Sequence, residues 1–170
     1  MRKFLVTILL LGAIGAYFTY AISQNLQTQR NDVSISIQDP DVTPNSLSIA
    51  VIGDTHLPEG REPLDAFREL LLEVKAAKPD LVVFVGDYIA DPASIGNLGE
   101  HRAAVIDLMK LVNPIPRAVV LGNYESWSNA DNWLAEFGRL GVDVMENELT
   151  VLGTAKGPVC VRCLCGKFTS

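Results

Sequence analysis

Three stretches of this chain share one pattern: a short run of mainly apolar, often β-branched residues, then glycine, then a side chain able to ligate a metal. The runs are 48–52 before Gly53, Asp54, Thr55 and His56; 81–85 before Gly86 and Asp87; and 117–121 before Gly122, Asn123, Tyr124 and Glu125. Runs of this length and composition predict buried strands. The segments between them have helical spacing. Over 62–78, Leu64, Phe67, Leu71 and Val74 fall on one face, Pro63 suits a first turn and Pro79 ends the helix. A second helix is predicted over 100–112, burying Val105, Ile106, Met109 and Val112, and a third over 132–140, carrying Trp133, Leu134, Phe137 and Leu140. Further strands are predicted at 142–145 and 149–152 around a turn at Asn147, with another turn over 153–158 and a last strand at 159–161. The order β-α-β-α-β-α-β-β predicts an α/β domain with a parallel or mixed sheet.

The ends differ from this middle. Arg2 and Lys3 precede an uncharged run over 4–22, long enough to cross a bilayer as a helix. The flanking charges favour a cytoplasmic amino end, with the rest facing the periplasm or exterior from the plasma membrane. A cleaved signal, giving a secreted protein, is the rival reading, but 19–21 is a poor small-x-small site, and Tyr17, Phe18 and Tyr20 suit an interfacial belt. Residues 23–46 read as a polar linker, with alternation at 33–37 predicting a short edge strand. The expected organisation is an anchor or signal at 1–22, a linker at 23–46, a domain at 47–161 and an irregular tail at 162–170.

Composition changes the picture in two places. The net charge of −6 comes with no basic stripe, so nucleic acid is not an expected partner. It says little about small anionic substrates, because a bound cation reverses the local field. The three cysteines, Cys160, Cys163 and Cys165, lie near the end of the chain, and a zinc knuckle would need a fourth ligand that does not follow.

The chemistry lies at the strand ends. Parallel strands alternating with helices bring their C-terminal ends to one sheet edge, where Asp54, His56, Asp87 and Asn123 would converge. Carboxylates with a neutral imidazole suit Mn, Fe or Zn, and the glycines are expected to let the backbone turn and approach an ion. A metal-dependent hydrolase is the first hypothesis. Gly-Asp alone is common turn chemistry; three such units in this order are far more specific. A nucleotide-binding module is disfavoured, since no Gly-rich phosphate loop follows the first strand.

The set Asp54-x-His56, Gly86-Asp87 and Gly122-Asn123-x-Glu125 closely resembles the calcineurin-like metallophosphoesterase superfamily, over about 47–152. The 145–149 turn, with its acidic-Asn-Glu run, is similar to the membrane-associated bacterial members. The resemblance implies part of a four-layer α/β/β/α sandwich, here preceded by one transmembrane helix. It also implies two divalent ions and hydrolysis of a phosphomonoester, phosphodiester or pyrophosphate substrate. By resemblance Asp54 and His56 bind one ion, Asp87 bridges, and Asn123 binds the second and touches the phosphate. Glu125 is expected to support the ligands or the helix start rather than to ligate.

Two departures matter. Tyr124 stands where the family pattern has histidine, the catalytic position beside Asn123, and a phenol is a weaker proton donor than an imidazolium at neutral pH. The later family motifs, a lone histidine and then Gly-His-x-His, are missing. The remaining histidine, His101, is expected to be an exposed residue at a helix start. The alternative is therefore a truncated, inactive fragment with at most weak metal binding. Trp127 and Trp133 read as packing groups, although Trp127 and Tyr88 sit close enough to line a substrate pocket.

Overall fold

The computed structural model describes residues 31–35, 46–142 and 144–164. The chain divides into two compact units, Met1–Val42 and Thr43–Ser170. In the first, 31–35 has no regular structure, and Val33 and Ile35 are exposed, so the edge strand expected at 33–37 does not form over its described part. The anchor or signal expected at 1–22 lies outside the described residues, as do most of the linker and 165–170. Among the described residues no helix is long and apolar enough to cross a membrane.

The second unit is built on a parallel sheet. Strands β1 (Ile49–Ile52), β2 (Leu81–Phe84) and β3 (Arg117–Val119) lie side by side in that order. Ala50 is opposite Val82, Ile52 opposite Phe84 and Phe84 opposite Val119. Side chains alternate across a strand, and this divides the sheet between two packing layers. Ala50, Ile52, Val82, Phe84 and Val119 face the helices α1 (Arg61–Ala77), α2 (Leu98–Met109) and α4 (Ala130–Arg139). Phe67 and Leu71 of α1, Val105, Ile106 and Met109 of α2, and Trp133 and Phe137 of α4 complete that core, as their spacing predicts. Lys78 takes a left-handed conformation at the end of α1, and its N–H bonds back to the Lys75 carbonyl. Leu134 of α4 is exposed.

The alternate set, Val83, Ala118 and Val120, faces the other way, toward a two-stranded antiparallel hairpin, β4 (Leu149–Thr154) and β5 (Gly157–Arg162). Leu152 and Val161 of the hairpin pack there with Met145 and Cys163. The hairpin differs from expectation in two ways. Val144 makes a single parallel bridge to Val119 instead of a strand at 142–145, because β4 takes its partner from the segment after it rather than before it. The turn is tighter than predicted, at 155–156. The start of the expected tail is structured as well: Arg162 ends β5, and Cys163 is buried with its N–H on the Glu148 carbonyl. The hairpin tip reaches the opposite end of the sheet, where Lys156 Nζ lies 2.8 Å from Asp80 and 2.6 Å from the Ser46 carbonyl.

Candidate metal centre

Beyond the last residues of β1 and β2 the two chains keep running side by side. Asp54 N–H donates to the Gly86 carbonyl, His56 N–H to Asp87 and Leu57 N–H to Tyr88, at 3.1, 3.0 and 2.9 Å. The Thr55 hydroxyl adds a bond to the Tyr88 carbonyl at 2.8 Å. This ladder fixes a conformation that L-residues otherwise avoid: Asp54, His56 and Asp87 have φ of 51°, 40° and 52°. Left-handed backbone at non-glycine residues persists where surrounding contacts over-determine it, and such residues gather at functional sites.

The result brings three of the predicted ligands together. One ligand atom from each of Asp54, His56 and Asp87 lies within 4.8 Å of the other two. His56 Nε2 is 3.9 Å from Asp54 Oδ1, with the two side chains 42% and 79% exposed. Two carboxylates and one imidazole, open to solvent on one side, match the donor chemistry of Mn, Fe or Zn.

The third strand-end loop closes against this group from the side. α3 (Asn123–Trp127) begins directly after Gly122. Tyr124 N–H donates to Asp87 Oδ1 at 3.1 Å, leaving Asp87 Oδ2 outside that bond. Asn123, half-buried, immediately precedes Tyr124 and so has its backbone at the site. The Tyr124 ring meets the His56 ring edge-on, with centroids 4.9 Å apart.

Glu125 is the fastening. Its side chain is wholly buried. Oε2 accepts from the N–H groups of Asp87 and Gly122 at 2.7 and 2.9 Å, and Oε1 accepts from Tyr88 N–H at 2.9 Å. Burial raises its pKa, the three N–H donors pull it down and the Asp87 charge raises it, leaving a net upward shift. Tyr88 beside it is also fully buried, on Trp133 and Phe137, with its hydroxyl on the Val120 carbonyl at 2.5 Å. Burial first, and then the Glu125 charge, push its phenol well above the usual range. Tyr88 therefore lines no substrate pocket; it forms the floor under Asp87.

The glycines let the backbone turn at Gly86, where φ is +89°, and they also serve close packing. A Cβ on Gly86 would lie 2.8 Å from the Cα of Gly122, and one on Gly122 would lie 2.8 Å from Cγ of Asp87. A Cβ on Gly53 would overlap the Val85 side chain. The missing side chains let three strand ends approach one another.

His101 is the clear correction. It is 4% exposed, and its Nε2 is 3.0 Å from the carbonyl oxygen of Leu57, the residue after His56. A carbonyl only accepts, so Nε2 carries the proton. The spacing held this signal: 101, 105, 109 and 112 form one helical face whose other members were predicted buried. The Thr55 and Tyr88 bonds, and those of Glu125 to Asp87 and Tyr88, had no comparable signal, since each joins residues more than thirty apart.

With this geometry in place, comparison with known proteins is direct. The family model described as calcineurin-like phosphoesterase matches residues 47–165, well over half of the chain. The chain belongs to the calcineurin-like phosphoesterase family. It is also similar to a protein of Bacillus subtilis (strain 168) described as an uncharacterized metallophosphoesterase, YkuE. The two are 30% identical over 82 residues, a stretch that covers 48% of this chain and 27% of the relative. Within this phosphoesterase domain, Asp54, His56 and Asp87 form a group that could hold a metal ion.

Proposed function

We propose that the protein is a metal-dependent phosphoester hydrolase whose metal is held by Asp54, His56 and Asp87. The observation that carries this reading is the convergence of those three ligand atoms at the ends of two adjacent parallel strands. A divalent ion at such a group supplies positive charge that polarises a phosphoryl group and makes water a better nucleophile. The chain's own residues do the rest. Tyr124 N–H orients the Asp87 carboxylate, and Glu125 holds the loops that carry Asp87 and Asn123. In this reading Asn123 binds a second ion or the phosphate itself, and the Tyr124 hydroxyl stands in for the proton donor the family pattern puts there.

In this proposal Asp54, His56, Asp87 and Asn123 would hold two divalent ions of Mn, Fe or Zn. The hairpin β4–β5, packed on the face of the sheet away from the helices, supports a second sheet layer and hence the four-layer sandwich. The positive residues Arg2 and Lys3 before the apolar run 4–22 support an anchored, outward-facing domain at the plasma membrane.

The test is Mn²⁺ binding by the full chain, followed by calorimetry, together with hydrolysis of bis-p-nitrophenyl phosphate. Asp87→Asn is expected to abolish both. Binding and turnover that survive this substitution would sink the assignment. Metal binding without turnover would favour the non-catalytic alternative for this chain.

A further inference from the structure

A line of aromatic rings leads away from the ligand group. The His56 ring touches Tyr124 at 4.9 Å between centroids, and Tyr124 touches Trp127 at 5.1 Å. The first contact is edge-on, at 82°, and the second is tilted, at 57°, so the outermost ring is not sandwiched. Trp127 is 69% exposed, whereas Trp133 is fully buried with its Nε1–H on the Ser128 hydroxyl. The chain thus spends its other tryptophan on the core and leaves this one facing water, one turn of α3 from the loop that meets Asp87. Exposing an indole forgoes a large apolar gain.

The surroundings narrow what that ring can recognise. The ion pairs of Arg61, Lys110, Arg139 and Lys156 are with Asp65, Asp107, Glu136 and Asp80, none of them a residue of this site. A leaving group bound along this line would be met by ring faces. A ring face discriminates in favour of another planar ring, because offset stacking adds to area burial.

We propose that Tyr124 and Trp127 form a leaving-group subsite for phosphoesters that carry a planar ring, either aryl or nucleobase, next to the phosphoryl group. Trp127 is its specificity-determining residue. The proposal rests on the phosphoester reading above, and its test separates the two.

The probes are phenylphosphonate and methylphosphonate, which differ in the ring and are not hydrolysed, each titrated with Zn²⁺ into the full chain. Because the chain has two tryptophans and one is buried, acrylamide-quenchable emission reports on Trp127. The expected result is that phenylphosphonate at least halves the quenching constant while methylphosphonate, bound by calorimetry, leaves it unchanged. Trp127→Ala should weaken phenylphosphonate about tenfold, the scale of one ring stack, and leave methylphosphonate unaffected. Trp127→Phe should restore most of the loss. Equal binding of both phosphonates, unaffected by Trp127→Ala, would overturn the subsite and leave the phosphoester reading standing. Binding of neither would overturn both.

Discussion

The carboxylate of Glu125 accepts the main-chain N–H of Asp87 at 2.7 Å, so a buried side chain on the third strand-end loop holds the backbone of a ligand on the second. The same carboxylate reaches Gly122 and Tyr88, and it accepts at every contact. Its work is therefore both structural and preorganising, since it locks the loop that presents Asp87 before any ion arrives.

Glu125→Gln tests this. The amide keeps the shape but turns one acceptor into a donor facing a backbone N–H. Loss of charged hydrogen bonds in a buried place should cost about 2–4 kcal/mol in urea unfolding. Metal affinity should fall with it, because the Asp87 loop loses its fastening. A Glu125→Gln protein of unchanged midpoint and unchanged Mn²⁺ affinity would show that the network is dispensable.

The glycines should separate into two grades. Gly86 has φ of +89°, and the space beside it is filled by the backbone of Gly122, which cannot rotate away. Gly86→Ala should cost more than about 2 kcal/mol. Gly53 has no such φ, and its obstacle is a half-exposed side chain, Val85. Gly53→Ala should cost less, and Val85→Ala should recover most of the loss in a double-mutant cycle. Equal costs at the two positions would refute the close-approach account.

His101→Ala removes a buried donor from the Leu57 carbonyl, which also accepts Ala90 N–H at 3.0 Å. A loss of about 1–3 kcal/mol is expected from the lost bond and the space left behind. Because Leu57 follows His56, amide exchange at His56 and Leu57 should quicken before that of β1 does. Uniform exchange throughout the domain would make His101 an ordinary core residue.

Asp80 ties the hairpin to the sheet and sets a pH dependence. The Lys156 hydrogen bond first, and then the Ser48 N–H bond, hold its carboxyl below the usual range. A depressed folded pKa contributes stability that is present above the unfolded value of about 3.9 and is lost as pH falls through the lower, folded value. Wild type should therefore exceed Asp80→Asn in urea midpoint at pH 7, and the gap should narrow below about pH 4. A gap of constant size from neutral to acid pH would show that the charge is not what matters.

Local pattern determined much of this protein. Apolar runs ending in glycine placed β1, β2 and β3, although the burial on both faces that such runs suggest does not hold for β1, whose Ile49 and Val51 are exposed. Helical spacing placed the buried faces of α1 and α2, and the residue types after each glycine named Asp54, His56 and Asp87 as ligands. Even His101 was written in its spacing. Tertiary structure decided which groups those ligands meet. Glu125 reaches Asp87 across thirty-eight positions, Lys156 reaches Asp80 across seventy-six, and the strand at 149–154 pairs forward rather than back. Such partners depend on how chain ends converge after folding, and no periodicity records that. The glycines make the same point: their positions were plain in the sequence, but what fills the space beside them belongs to another strand.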